Sequence, residues 1–171
     1  MAAIVFGRKI MLEPDSLPLV LRPARRSDCR QIWCWRNEPE VRRASFHTEV
    51  IPYEKHEVWY EGKMADSSIR LLIAEGREGV EIGYVRFDKD QDEVEISVCL
   101  DPGFRGKGYG SALIRRASEQ YMASEGAKRI IAWVRSDNPA SLKAFKRAGY
   151  VIAEETRLHG LDAHKLVYPC F

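Results

Sequence analysis

The sequence has little of what announces a metal site, a disulfide scaffold or a membrane span. Its four cysteines, Cys29, Cys34, Cys99 and Cys170, form no C-x-x-C pair, and no histidine stands at a metal-ligand spacing from them. Reduced, mostly buried thiols in a cytoplasmic protein are therefore expected, with no metal. No apolar run approaches the roughly 20 residues of a membrane span. Residues 1–12 are too short, and too interrupted by Gly7, Arg8 and Lys9, to read as a signal peptide. Neither sign of charge is in excess. Against 25 Asp and Glu there are 27 Lys and Arg, and a net charge of +2 argues for no nucleic-acid partner. The pairs Arg42-Arg43 and Arg115-Arg116 read as solvated surface. Repeats, low-complexity tracts and linkers are missing too. The 171 residues thus read as one compact domain, residues 18–171, behind an N-terminal extension, residues 1–17.

What is present is a change of period halfway along the chain. The run Leu19, Val20, Leu21 predicts a first strand. Asp28 and Gln31 have the spacing of a capping box, opening a short helix through Trp33 and Trp35. A second helix is expected after Pro52, carrying His56, Trp59, Tyr60 and Lys63. Three β-rich runs follow over residues 69–74, 80–87 and 93–100, joined by short polar turns, which predicts an antiparallel meander. A long helix is then expected over residues 108–125, closed by Gly126 in the C-terminal cap position. A strand over residues 129–134 comes next. Another helix opens at Asn138-Pro139, with Asn as N-cap and Pro at the first helical position, and ends at Gly149. Residues 150–156 and 164–168 read as closing strands. Strand, helix and strand from Glu93 to Val134 form a βαβ unit with a right-handed crossover. The fold class is α+β: a mixed, mostly antiparallel sheet with a central parallel βαβ unit and flanking helices.

The most informative segment is Arg105-Gly106-Lys107-Gly108-Tyr109-Gly110-Ser111, where a strand runs through a basic glycine turn straight into a helix. Glycines let the backbone approach a ligand closely and turn its N–H groups inward. The helix start adds unsatisfied donors and a positive dipole end, and Arg105 and Lys107 add charge. This is a site for a pyrophosphate. It lacks the Gly-Lys-Ser/Thr ending of a Walker loop, and its spacing differs from the dinucleotide fingerprint.

Arg105-x-x-Gly108-x-Gly110 after a strand resembles the acetyl-CoA-binding motif of the GNAT superfamily of N-acetyltransferases. The segment from Asn138 to Tyr150 is similar to that family's second motif, at the usual separation. The resemblance spans residues 18–168 and implies a V-shaped opening between the parallel strands. Pantetheine would lie in it, along the backbone of Val98, Cys99 and Leu100. Amides from Gly106 to Ser111 would hold the pyrophosphate of acetyl-CoA. Asn138 and Ser141 would touch the cofactor arm, and Phe145 would pack against it.

Acetyl transfer needs a neutral amine, a polarised thioester and a departing thiolate. Glu95 matches an acidic residue that many family members place on this strand, and a raised pKa would let it act as base. A solvated strand carboxylate is the competing reading, and Glu93, Asp101 and His56 are rivals. The chain departs from the family at the acid: Phe145 stands where many relatives carry tyrosine, leaving Ser141, Tyr109 or water. That departure keeps open a non-catalytic coenzyme A-binding module. On the acceptor side, Trp33-Cys34-Trp35-Arg36-Asn37 with His56 and Trp59 resembles the branch that acetylates nucleotide-linked amino sugars, as in pseudaminic acid biosynthesis. There Trp35 would stack on a ring, Arg36 would bind phosphate beside Asn37, and His56 would grip the sugar. Core packing is the alternative for these aromatics, and a peptide or protein N-terminus is the alternative acceptor. Monomer and homodimer both stay open.

Overall fold

The computed structural model describes residues 17–91, 93–127 and 129–168. The expected N-terminal extension, apart from Leu17, and Cys170 lie outside them. In chain order the elements are β1 (Val20–Pro23), α1 (Cys29–Asn37), α2 (Pro39–Ala44), α3 (Tyr53–Ala65), β2 (Ile69–Glu75), β3 (Glu81–Asp90), β4 (Glu93–Leu100), α4 (Tyr109–Glu125), β5 (Ile130–Arg135), α5 (Pro139–Arg147), β6 (Val151–Leu158) and β7 (Leu161–Tyr168). The strands form one sheet in the order β1-β2-β3-β4-β5-β7-β6. Every neighbouring pair is antiparallel except β4 and β5, which run parallel. The expected class, with its meander and central βαβ unit, is the one observed.

Side-chain alternation along β3, β4 and β5 sends one set of residues to each face of the sheet. Beneath α4 and α5 lie Val85, Phe87, Val94, Ile96, Ile130, Ala132 and Val134, packed on Leu113, Ile114, Ala117, Tyr121 and Phe145. Each fully buried aliphatic side chain here contributes about 1.5–3 kcal/mol. Phe87 stacks on Tyr121 with ring centroids 4.3 Å apart. The one buried polar pair in this layer is satisfied, Ser118 Oγ and the Tyr150 hydroxyl lying 2.7 Å apart. The opposite face carries a smaller core of Ile32, Trp35, Tyr60, Ile73, Tyr84 and Cys99 under α1 and α3.

Several local expectations hold. Gly126 caps α4 with φ 61°, and its N–H reaches the Met122 carbonyl. Asn138 caps α5, its Oδ1 accepting from the Ser141 N–H at 3.1 Å, with Pro139 at the first helical position. The capping box at Asp28 does not form. Its carboxylate turns backwards instead, accepting from the Arg25 N–H at 2.6 Å and from Arg22 at 2.7 and 3.1 Å. Burial alone would raise the Asp28 pKa, but these bonds outweigh it and hold the carboxyl below its usual range. Helix α2 is an addition to the expected elements, capped by Glu38 and begun by Pro39. The closing strands are longer than expected and form one hairpin, turning at His159 (φ 51°) and Gly160 (φ 80°). Two positive φ values in a two-residue turn suit the sheet's twist, and His-Gly carries that signal less plainly than Asn-Gly. Of the described thiols, Cys29 and Cys99 are buried and Cys34 is exposed.

Candidate active site

Strands β4 and β5 share only two residue pairs, Val94 with Ile130 and Glu95 with Ile131. Beyond Glu95 they diverge, so the backbone of Ile96 to Leu100 has no ladder partner on that side. This is the V-shaped opening, and the head of α4 stands at its mouth. Gly106 and Gly108 hold positive φ, 71° and 92°, which turns the chain sharply from β4 into the helix. The first closing bond of α4 runs from the Ala112 N–H to the Gly108 carbonyl. Tyr109, Gly110 and Ser111 therefore keep amides without an intrahelical acceptor. A Cβ on Gly110 would sit 3.4 Å from Leu100 Cδ1 and 3.7 Å from Ala144 Cβ. Space there is already filled to contact, so a branched side chain would reach into the opening. These features fit a pyrophosphate held by backbone.

The basic residues of the turn behave differently from each other. Arg105 directs its guanidinium at Glu38 (2.9 Å) and Glu40 (2.8 Å), and it donates to the Leu100 carbonyl at 3.0 and 3.2 Å. Its charge is matched within the protein, so its expected contribution to a phosphate site is corrected. It ties α2 to the end of β4. Lys107 stays exposed, donating to the Gly103 carbonyl and lying 5.9 Å over the Phe104 ring.

Glu95 is half-buried and faces α1 and α3, directly across the ladder from Asp88. Burial raises its pKa, and the charge of Asp88 raises it further, against the opposing pull of Arg86 and Lys63. The rivals are otherwise engaged. Glu93 pairs with Lys165 at 3.0 Å and with Arg129 at 3.7 Å. Asp101 accepts from the Trp35 indole at 3.0 Å and the Gly103 N–H at 2.8 Å. His56 is fully buried, its Nε2 2.9 Å from the Cys29 carbonyl and its Nδ1 3.4 Å from Arg36. Burial lowers its pKa, and so, more weakly, does Arg36.

Two expected acceptor contacts are corrected by burial. Trp35 is 3% exposed and stacked near Tyr84, so it offers no face to a ligand ring. His56, at 0%, offers no surface for a sugar. Asn37 spends its side chain on Ile51, bonding both its N–H and its carbonyl at 2.7 and 3.0 Å. Arg36 alone of this set keeps a guanidinium on the polar face, 4.0 Å over the Trp59 ring. Arg86, Asp88 and Ser97 complete that face and were not singled out in the sequence. Their signal was present, since Tyr84, Arg86 and Asp88 sit at i, i+2 and i+4 on a strand opposite Glu95, Ser97 and Cys99. Beside β5 and the hairpin, Arg135 reaches the Ser45 carbonyl at 2.9 Å, and His47 lies against His159. The segment after α2 thereby crosses to the far side of the opening. Phe145 is 6% exposed, with its ring edge-on to Tyr150 at 5.0 Å, and Tyr109 packs edge-on to Phe104. Ser141 is half-buried at the first turn of α5. Among the described residues no cluster of three His, Cys, Asp or Glu side chains is placed to hold a metal ion. Nor, among them, is any helix long and apolar enough to cross a membrane.

A mixed sheet opened between two parallel strands, with a glycine-turned helix at the mouth, defines an acyl-coenzyme A-binding architecture. Residues 18–151 match the family described as Acetyltransferase (GNAT) domain, and the chain belongs to that family. A mycothiol acetyltransferase from Corynebacterium glutamicum is 29% identical over 158 residues, covering 86% of this chain and 51% of that protein. The chain spans about half the length, or less, of the mycothiol acetyltransferases that it matches. An L-amino acid N-acetyltransferase from Escherichia coli is 26% identical over 139 residues, covering 78% of this chain and 83% of that one. The fold matches a crystal structure of spermidine N-acetyltransferase from Vibrio cholerae, in complex with CoA and spermine. The TM-score is 0.78 at 21% identity, over 87% of this chain and 94% of that one.

Proposed function

We propose that the chain is an acetyl-CoA-dependent N-acetyltransferase acting on a small primary amine, with Glu95 as its base. The observation that carries the reading is the juxtaposition of the β4–β5 opening with a half-buried carboxylate at its apex. Relatives named for transfer to L-amino acids and spermidine support a small amine. Bound in the opening, acetyl-CoA supplies the activated acetyl thioester. The free amides of Tyr109, Gly110 and Ser111 hold its pyrophosphate, and the unpaired edge of β4 offers hydrogen bonds to its arm. Glu95 takes the proton from the amine, directly or through one water, as its raised pKa favours. Phe145 cannot donate a proton to the leaving sulfur. A thiol with a pKa near the cysteine reference of about 8.5 leaves as thiolate close to neutral pH, so no side-chain acid is required. Of the residues suggesting a nucleotide-linked amino sugar, only Arg36 still supports that acceptor.

The test is thiol release from acetyl-CoA over a panel of amino acids, polyamines, amino sugars free and nucleotide-linked, and N-terminal peptides. Glu95→Gln is expected to lower kcat by roughly 10²–10⁴ while acetyl-CoA still binds. Because the base must be ionised, wild-type activity falls as pH drops through the raised Glu95 pKa, and the variant loses that limb. Bound acetyl-CoA with no thiol release for any amine is the behaviour of a non-catalytic module and would end this reading.

A further inference from the structure

Arg36 closes α1 half-buried, its guanidinium laid on Trp59. Among the described residues no carboxylate stands within ion-pair distance of it. Its neighbours are His56, Tyr84, Arg86 and Cys99. Burial pushes Tyr84 and Cys99 up to about 12, so neither supplies a negative charge near neutral pH. The other cations of this face are matched, since Arg86 and Lys63 both pair with Asp88. Three cations thus face two carboxylates, Asp88 and Glu95, and Arg36 is the one left over. A desolvated charge without a counter-ion is unfavourable. The indole face and the C-terminal end of the α1 dipole offset only part of that.

We propose that Arg36 recognises an anion on the acceptor, so that the substrate is a primary amine that also carries a carboxylate or phosphate. The inference rests on the transferase reading and narrows it. Glu95 and Ser97 lie two residues apart on β4, Arg86 faces Ser97, and Arg86 and Arg36 both lie against the Trp59 ring, at 5.3 and 4.0 Å. The amine at Glu95 and the anion at Arg36 are therefore bound on one continuous face. A polyamine brings no anion and sets further positive charge against Arg36, which disfavours it.

Matched acceptors test this: glucosamine 6-phosphate against glucosamine, an L-amino acid against its amide, and spermidine as the cationic reference. Wild type is expected to favour the anionic member, and the pair that responds identifies phosphate or carboxylate. Arg36→Ala should raise the KM of that acceptor roughly ten- to hundredfold, erase the preference and leave the KM for acetyl-CoA unchanged. Arg36→Lys should restore part of the preference. A wild-type preference for spermidine or the neutral members would overturn the proposal. So would an equal rise in KM for both members of a pair in Arg36→Ala. If no amine is turned over, the transferase reading has failed on its own. Calorimetric binding of the same pairs to the CoA-loaded protein then decides: a preference for the anion, lost in Arg36→Ala, upholds the anion site, and equal binding removes it.

Discussion

Under α4 and α5 the central strands present Val85, Phe87, Val94, Ile96 and Ala132, whereas under α1 and α3 the same strands present Tyr84, Arg86, Asp88, Glu95 and Ser97. The first face does what apolar packing alone requires, and its residues are interchangeable by size. The second face holds a carboxylate whose pKa burial has raised and a largely desolvated guanidinium with no carboxylate against it. Neither helps the fold. Unfavourable environments of this kind persist where they serve chemistry, and their confinement to one face separates stabilising residues from acting ones.

The substitution that removes the comparison altogether is at the strand both faces share. Gly83 has φ 155°, and a Cβ there would lie 2.2 Å from the Cys99 carbonyl oxygen. Gly83→Ala should separate β3 from β4 and destabilise the protein by about 3 kcal/mol, read from chemical denaturation. A change under 1 kcal/mol would show that the two strands give way easily.

A smaller effect sharpens the contrast from the cofactor side. At Gly110 a methyl group makes ordinary contacts, so Gly110→Ala should fold and gain helix propensity. Gly110→Val overfills the mouth and should abolish the rise in Tm that acetyl-CoA gives by mass action. An unchanged rise in the Val variant would remove the backbone-cradle account of the apolar side.

The smallest effect probes the polar side. Burial holds the His56 pKa below its ordinary 6.5, so the unfolded chain binds the extra proton first. Stability from this residue is fully present above that value and is lost as pH falls through it towards the folded pKa. Tm should therefore drop as pH falls through 6.5, and His56→Gln should flatten that slope. Parallel slopes in the two proteins would show that His56 is accessible after all.

The same division explains what the sequence disclosed. Glycine spacing, the Asn138-Pro139 helix start and the strand order lie in local backbone chemistry, so β4, α4 and α5 were legible nearly to the residue. The β4–β5 opening followed from the family resemblance. The acceptor face was not legible in this way, because it is assembled by long-range contacts. Nothing local tells that Arg105 will pair with Glu38 and Glu40, that Asn37 will fasten to Ile51, or that Trp35 will give its N–H to Asp101. Aromatic residues on amphipathic helices look alike whether they meet a ligand or the core, and Trp35 and His56 met the core. Asp28 was misread for a related reason. The capping pattern is common, and an arginine from β1 competed for the same carboxylate.

The parting of β4 from β5 also bears on how the molecule moves. With two rungs between them, the sheet is mechanically two ribbons, β1 to β4 and β5 to β7, riveted at one end and backed by α4. A ligand seated along the free edge adds hydrogen bonds where the ladder stops, and so acts as a removable strut. The alternate amides beyond Glu95 that point away from β3, those of Ile96, Val98 and Leu100, should exchange with solvent readily in the empty protein and slowly in the loaded one, while those bonded to β3 stay protected in both. Were that protection seen, occupancy of the cofactor site would be felt as stiffness in β4, the strand that also carries Glu95.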